Sequence, residues 1–127
     1  MATWDDVRRI AMALPEVTER PTYDNRPAWR VKDKPFAWDR PLRKNDPAVP
    51  SGPILAASVP DLGAKEALLA DDPTVYFTIP HLDNYAAVLV HLDPITTDDL
   101  AELLTEAWLC RAPKTLAEQF TATHHPR

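Results

Sequence analysis

Eight basic side chains fall within residues 20–44: Arg20, Arg26, Arg30, Lys32, Lys34, Arg40, Arg43 and Lys44, against only Asp24, Asp33 and Asp39. That density suits phosphate chemistry, in which Lys and Arg neutralise a nucleic-acid backbone and release its counterions. Trp29 and Trp38 lie among them and offer indole faces on which bases would stack, although the core is the plainer place for both. Between residues 61 and 106 the balance reverses, with ten acids and Lys65 as the one base. The whole chain carries a formal charge of −5, which argues against a uniformly basic nucleic-acid binder. Any phosphate contact must therefore be local. The candidates are Arg26, Arg30, Lys32, Lys34, Arg40, Arg43 and Lys44, of which Arg30 and Lys32, two apart on an expected strand, would share one face.

A second chemistry belongs to His81 and Tyr85. His81 follows Pro80, which stiffens the chain, and an imidazole there could bind a ligand or shuttle a proton. Acid–base work also needs an orienting carboxylate and a nucleophile. Asp83 is near in sequence, but no nucleophile is identifiable, and a histidine bonded to its own turn is the simpler reading. His81 and Tyr85 stand as the alternative site, for a small ligand or a protein partner. The acids Glu66, Asp71, Asp72, Asp98, Asp99, Glu102 and Glu106 would suit a hard cation if they converged. They are spread over two expected helices and a loop, so no metal ligand is assigned. Cys110 is the one cysteine, which excludes an internal disulfide and a cysteine-rich zinc site; a buried structural thiol is the plainer reading for it. Gly52 and Gly63 are the two glycines of the chain, too few for a phosphate-cradling loop. No cofactor is expected, and the chain reads as non-enzymatic.

These residues must be held by a scaffold whose elements are legible in part. Thr3 caps a first helix, with Asp5 and Asp6 at the positive end of its dipole. Trp4, Val7, Ile10, Ala11 and Leu14 give it an apolar face, and Pro15 ends it; Arg8 and Arg9 lie off this stripe and read as solvated. After a polar segment, residues 28–31 and 35–38 predict two short strands around a tight turn at Lys32, Asp33 and Lys34 that lacks the usual glycine. Residues 40–53 carry Pro41, Pro47, Pro50 and Pro53 and read as a long extended loop. Residues 54–59 resume as strand, Asp61 caps a helix to about residue 69, and residues 75–79 and 87–92 form two further strands. Thr97 caps a last long helix with Leu100, Leu103, Leu104, Ala107 and Trp108 as its core stripe. Pro113 interrupts, a short final turn carries Leu116 and Phe120, and residues 121–127 form a frayed tail.

A chain of 127 residues is the length of one domain, here residues 1–120. Hydrophobic residues at 45% and charged residues at 26% are an ordinary globular balance. No apolar run reaches the ~20 residues of a membrane span, and acids near the N-terminus disfavour a signal peptide, so a cytoplasmic protein is expected. The order α-β-β-β-α-β-β-α favours an α+β fold, an antiparallel sheet of about five strands with helices on one face. Its opposite face would be left partly open.

The segments WDDVRRIAMALPEV, PAWRVKDKPFAWDRPL, ILAASVPDLGAKEALLADDP, FTIPHLDNYAAVLVHL and LLTEAWLCRAPKTLAEQF together resemble the MmcQ/YjbR family, from Trp4 to Phe120. The F-T-x-P-H turn and the A-V-L-V-x-L strand after it are the most specific part. The resemblance implies a frataxin-like (CyaY-like) fold. It also implies a DNA-binding role, which here would be weak, non-specific and phosphate-driven through residues 26–44, since no helix reads as a major-groove reader. A frataxin-like use of the acids for metal is a further, lesser implication.

Overall fold

The computed structural model describes residues 2–22, 25–40 and 52–124. Helix α1 (Trp4–Met12) opens on a reciprocal cap: the Thr3 hydroxyl accepts from the Asp6 amide, and the Asp6 carboxylate accepts from the Thr3 amide, satisfying two otherwise orphaned donors. Strands β1 (Val17–Pro21), β2 (Pro27–Val31), β3 (Lys34–Asp39) and β4 (Ile54–Ser58) follow, then α2 (Leu62–Asp71), β5 (Tyr76–Phe77), a 3-10 turn (Pro80–Leu82), β6 (Ala87–His91), α3 (Thr97–Arg111) and α4 (Lys114–His124). The six strands form one antiparallel sheet in the order β1-β2-β3-β4-β6-β5. The α+β class is as expected, with one strand more.

Helices cover one face. Val7 and Ala11 of α1 and Leu100, Leu103, Leu104, Ala107 and Trp108 of α3 pack with Trp29, Val31, Ala37, Leu55, Ala57, Val88 and Val90 of the sheet in the main core. The Trp108 indole N–H donates to the Pro15 carbonyl at 3.0 Å, and Phe120 of α4 lies against the same ring, centroids 4.9 Å apart. The opposite face is not left bare. Ile54, Ala56, Ile79 and Leu89 are buried there in a second, smaller cluster against Trp38, Phe77 and Leu82. Strand alternation explains both clusters: β4 and β6 are apolar at successive residues, so each feeds both faces.

Several sequence expectations change. β1 was read as polar connection, because only Val17 of its five residues is buried. Its other core-side residue is a carboxylate: Glu19 accepts from the Trp29 indole at 2.9 Å and from the Arg8 Nε at 2.7 Å. Arg8 is therefore paired across to β1 rather than simply solvated. The cap of α3 is Thr96, one residue earlier than expected, and its hydroxyl accepts from the Asp99 amide. Pro113 precedes a helix instead of a short turn, since a ring that cannot donate is tolerated where helical amides are unpaired anyway. α4 runs to His124, past the expected domain end at residue 120, while residues 125–127 lie outside the described residues. Of the proline-rich segment, residues 41–51 lie outside them too. No described helix is long and apolar enough to cross a membrane.

Candidate functional site

The cationic candidates are placed near the β1–β3 edge, but not as one strand-borne row. Arg20 and Arg30 share the sheet face opposite the helices, by alternation from the buried Trp29 and Val31. Lys32 is not on that face, because β2 ends at Val31. Lys32 and Asp33 form the two-residue turn with φ of 49° and 67°, both in the left-handed region of a type I′ hairpin. Three of these cations are met by acids: Arg20 pairs with Asp33, Lys32 with Glu16 and Arg26 with Asp39 at 3.4 Å. Burial raises the Asp39 pKa, against the opposing pull of Arg26. Arg40 is buried at 6% exposure and interacts within the fold. Arg30 donates through Nη1 to the Asp33 carbonyl, and its buried Nε meets no acceptor among the described residues. Lys34 is exposed. Arg43 and Lys44 lie outside the described residues. Trp29 is fully buried and Trp38 half-buried, so Trp29 offers no stacking surface.

His81 and Tyr85 are both exposed, on the 3-10 turn and just after it. Asp83 does not orient His81; its carboxylate accepts from the Thr78 hydroxyl at 3.4 Å. Lys65 holds this segment from below. Buried at 3% exposure, it donates from Nζ to the Leu82 carbonyl and, at 3.1 Å, to the Tyr85 carbonyl. Burial pulls the Lys65 pKa down, with Asp83 opposing. The turn is thus rigidly based, yet its histidine meets no described carboxylate. His91 stacks on Phe77, centroids 4.2 Å apart, and burial lowers its pKa against the pull of Asp93, which favours the neutral ring. The Cys110 thiol is half-buried, and burial, followed by Glu106, pushes its pKa up, away from the thiolate a nucleophile needs.

A concave feature lies elsewhere, between α2 and α3. A cavity of about 490 Å³ has Val59, Ala64, Leu68 and Leu103 in its lining, with Asp71 from α2 and Asp99, Glu102 and Glu106 from α3 at its walls. Residues 99, 102 and 106 recur at three and four, so the helix itself aligns them on one face. Tyr76 of β5 also lines it. Only 7% exposed, its hydroxyl bonds to no described residue, and its pKa is raised by burial first and then by Asp99, Asp71, Asp72 and Glu102. Sequence reading had the acids but not the groove, and it gave Tyr76 no role. The signal available was the stripe at 99, 102 and 106. Among the described residues no three His, Cys, Asp or Glu side chains converge as a metal site.

The YjbR family model matches residues 12–110. The chain belongs to the YjbR family. It is 52% identical, over 96% of its length and 98% of theirs, to Uncharacterized protein Rv2570 of Mycobacterium tuberculosis (strain ATCC 25618 / H37Rv) and Uncharacterized protein Mb2600 of Mycobacterium bovis (strain ATCC BAA-935 / AF2122/97). Its fold is similar to that in the crystal structure of Deinococcus radiodurans protein DR2400, described as a DUF419 domain, with a TM-score of 0.69 and 24% identity over 94% of this chain and 88% of that one. The YjbR match spans β1 through nearly all of α3, so it includes Tyr76 and all four groove carboxylates as well as the described cations of the β1–β3 edge.

Proposed function

We propose that this YjbR-family chain is a small-molecule binding module whose site is the α2–α3 groove. The observation that carries the reading is the groove's composition: about 490 Å³ with an apolar floor, and a tyrosine hydroxyl inside it that bonds to no described residue. Ligand sites are typically clefts of ~300–1,000 Å³, mostly apolar, with a few convergent polar groups. Binding rather than catalysis is favoured because neither His81 nor His91 hydrogen-bonds a described carboxylate, and the Cys110 thiol is held in its protonated form. A fragment screen read by two-dimensional NMR tests it. Hits should shift the amides of Ala64, Ala67, Leu68 and Leu103 together. Hits that gather instead on the His81–Tyr85 segment would move the site to that turn.

A second reading, weak DNA contact through phosphates, is favoured by one specific feature: the exposed Arg20 and the half-buried Arg30 share one sheet face, with the exposed Lys34 at the hairpin beside them. Against it stands the pairing of Arg20, Arg26 and Lys32 with acids, which reduces the charge free for counterion release. Fluorescent duplex and single-stranded DNA titrated at low and physiological salt decide the matter. Saturable binding that weakens with salt and is lost in Arg30→Ala supports phosphate contact; no binding at low salt removes it.

A further inference from the structure

Taking the α2–α3 groove as the binding site, we infer that its ligand is a small organic cation, an amine carried on an apolar body. Charge decides the class. Asp71, Asp99, Glu102 and Glu106 stand around the cavity, and none of the four forms an ion pair with a described residue. The β1–β3 edge differs, since Arg20, Arg26 and Lys32 there each pair with an acid. No described basic side chain lines the groove. Arg111 donates from Nε to the hydroxyl of Ser58, one of the lining residues, at 3.3 Å.

Tyr76 makes this more than an acidic surface. Its ring is buried in the main core while its hydroxyl reaches the cavity and finds no hydrogen-bond partner among the described residues. The side chain is otherwise enclosed by the core, so its donor and acceptor are directed to whatever occupies the cavity. The hydroxyl can accept from an ammonium N–H while the carboxylates beside it balance the charge. An anionic ligand would meet repulsion from the four acids and gain no countercharge.

Geometry separates an organic cation from a metal ion. Asp99 and Glu106 are seven residues apart on one helix, about 10 Å along its axis at 1.5 Å per residue. Carboxylates so spaced cannot close on a single ion, and no described triad does so. They can flank an elongated ligand whose apolar body rests on Ala64, Leu68 and Leu103.

The test is calorimetric titration of the full chain at low salt with two matched series. Tryptamine, tryptophol and indole-3-acetate share one ring, and hexylamine, hexanol and hexanoate share one alkyl chain; each series runs from cation to neutral to anion. At least one amine should bind saturably, ten-fold or more tighter than its alcohol, with its carboxylate undetected. Glu102→Gln with Glu106→Gln should weaken the amine at least ten-fold, and Tyr76→Phe several-fold. All three substitutions are near-isosteric, so unchanged melting temperatures confirm that both variants fold. An alcohol or carboxylate binding as tightly as its amine, with NMR shifts in the groove, would overturn the cation while leaving the groove as the site. Amine binding indifferent to all three substitutions is general surface attraction and overturns the inference. Saturable binding by none of the six compounds overturns both the cation and, with an empty fragment screen, the groove.

Discussion

Lys65→Met asks how much of the fold depends on one buried ammonium. The substitution keeps a long unbranched side chain but removes the donor to the Leu82 and Tyr85 carbonyls. Each hydrogen bond from a charged donor is worth roughly 1.5–3 kcal/mol, so the gross loss is about 3–6 kcal/mol. Part is returned, because the variant no longer buries a charge; the lowered Lys65 pKa, caused first by burial, shows that this desolvation is felt. A net destabilisation of about 2 kcal/mol follows. At ~2.1 cal/mol/K of unfolding entropy per residue, a chain of this length loses about 4 °C per kcal/mol, so the melting temperature should fall by about 8 °C. Calorimetry measures that, and hydrogen exchange locates it: amides of residues 82–86 should lose protection first. Glu66→Gln, on the exposed neighbouring residue, should change neither. A melting point within about 2 °C of the parent, with unaltered exchange in the turn, would show that Lys65 does not anchor it.

Other consequences are more local. Glu19→Ala leaves the Trp29 indole N–H, bonded at 2.9 Å in the parent, without its acceptor; urea unfolding should show a loss of about 1–3 kcal/mol, and a neutral outcome would mean that water replaces the carboxylate. His91 has a lowered pKa in the folded state, so the unfolded chain binds its proton first as the pH falls. Its contribution is intact above the ordinary histidine pKa near 6.5 and is lost below it, with a slope of at most about 1.4 kcal/mol per pH unit. His91→Phe keeps a ring against Phe77 and should flatten stability as the pH falls below about 6.5; an unchanged acid limb would assign it to other groups. Cys110, with its thiol pKa raised by burial, should react with a thiol reagent at pH 7 at least about ten-fold more slowly than free cysteine, and reaction at the free rate would contradict the half-buried placement.

Much of the scaffold was legible where one physical signal dominated. The stripe of α3 is buried residue for residue, the Asp61 cap of α2 accepts from the Ala64 amide at 2.8 Å, and the Lys32–Asp33 turn forms without glycine. β1 was illegible because an inward carboxylate breaks the apolar alternation that marks a strand; only the distant Trp29 and Arg8 make Glu19 sensible there. α4 was cut short because Pro113 reads equally as a stop or a start. The groove could not be read at all. Its floor and walls come from β4, α2, β5 and α3, and nothing local to Tyr76 distinguishes a tyrosine facing a cavity from one facing the core. The charge asymmetry was visible, but not which half is neutralised internally, and that difference moves the functional reading from the basic segment to the acidic groove.

The central claim is that the acidic groove, rather than the cationic sheet edge, is where this protein meets its ligand. One NMR comparison addresses it most directly: the labelled full chain titrated at physiological salt, first with tryptamine and separately with a short DNA duplex. The account expects tryptamine to shift Ala64, Leu68, Tyr76, Leu103 and Glu106 to saturation, while the duplex leaves β1–β3 unmoved. Saturable shifts at Arg20, Arg30 and Lys34 with DNA, and a silent groove with the amine, would contradict it.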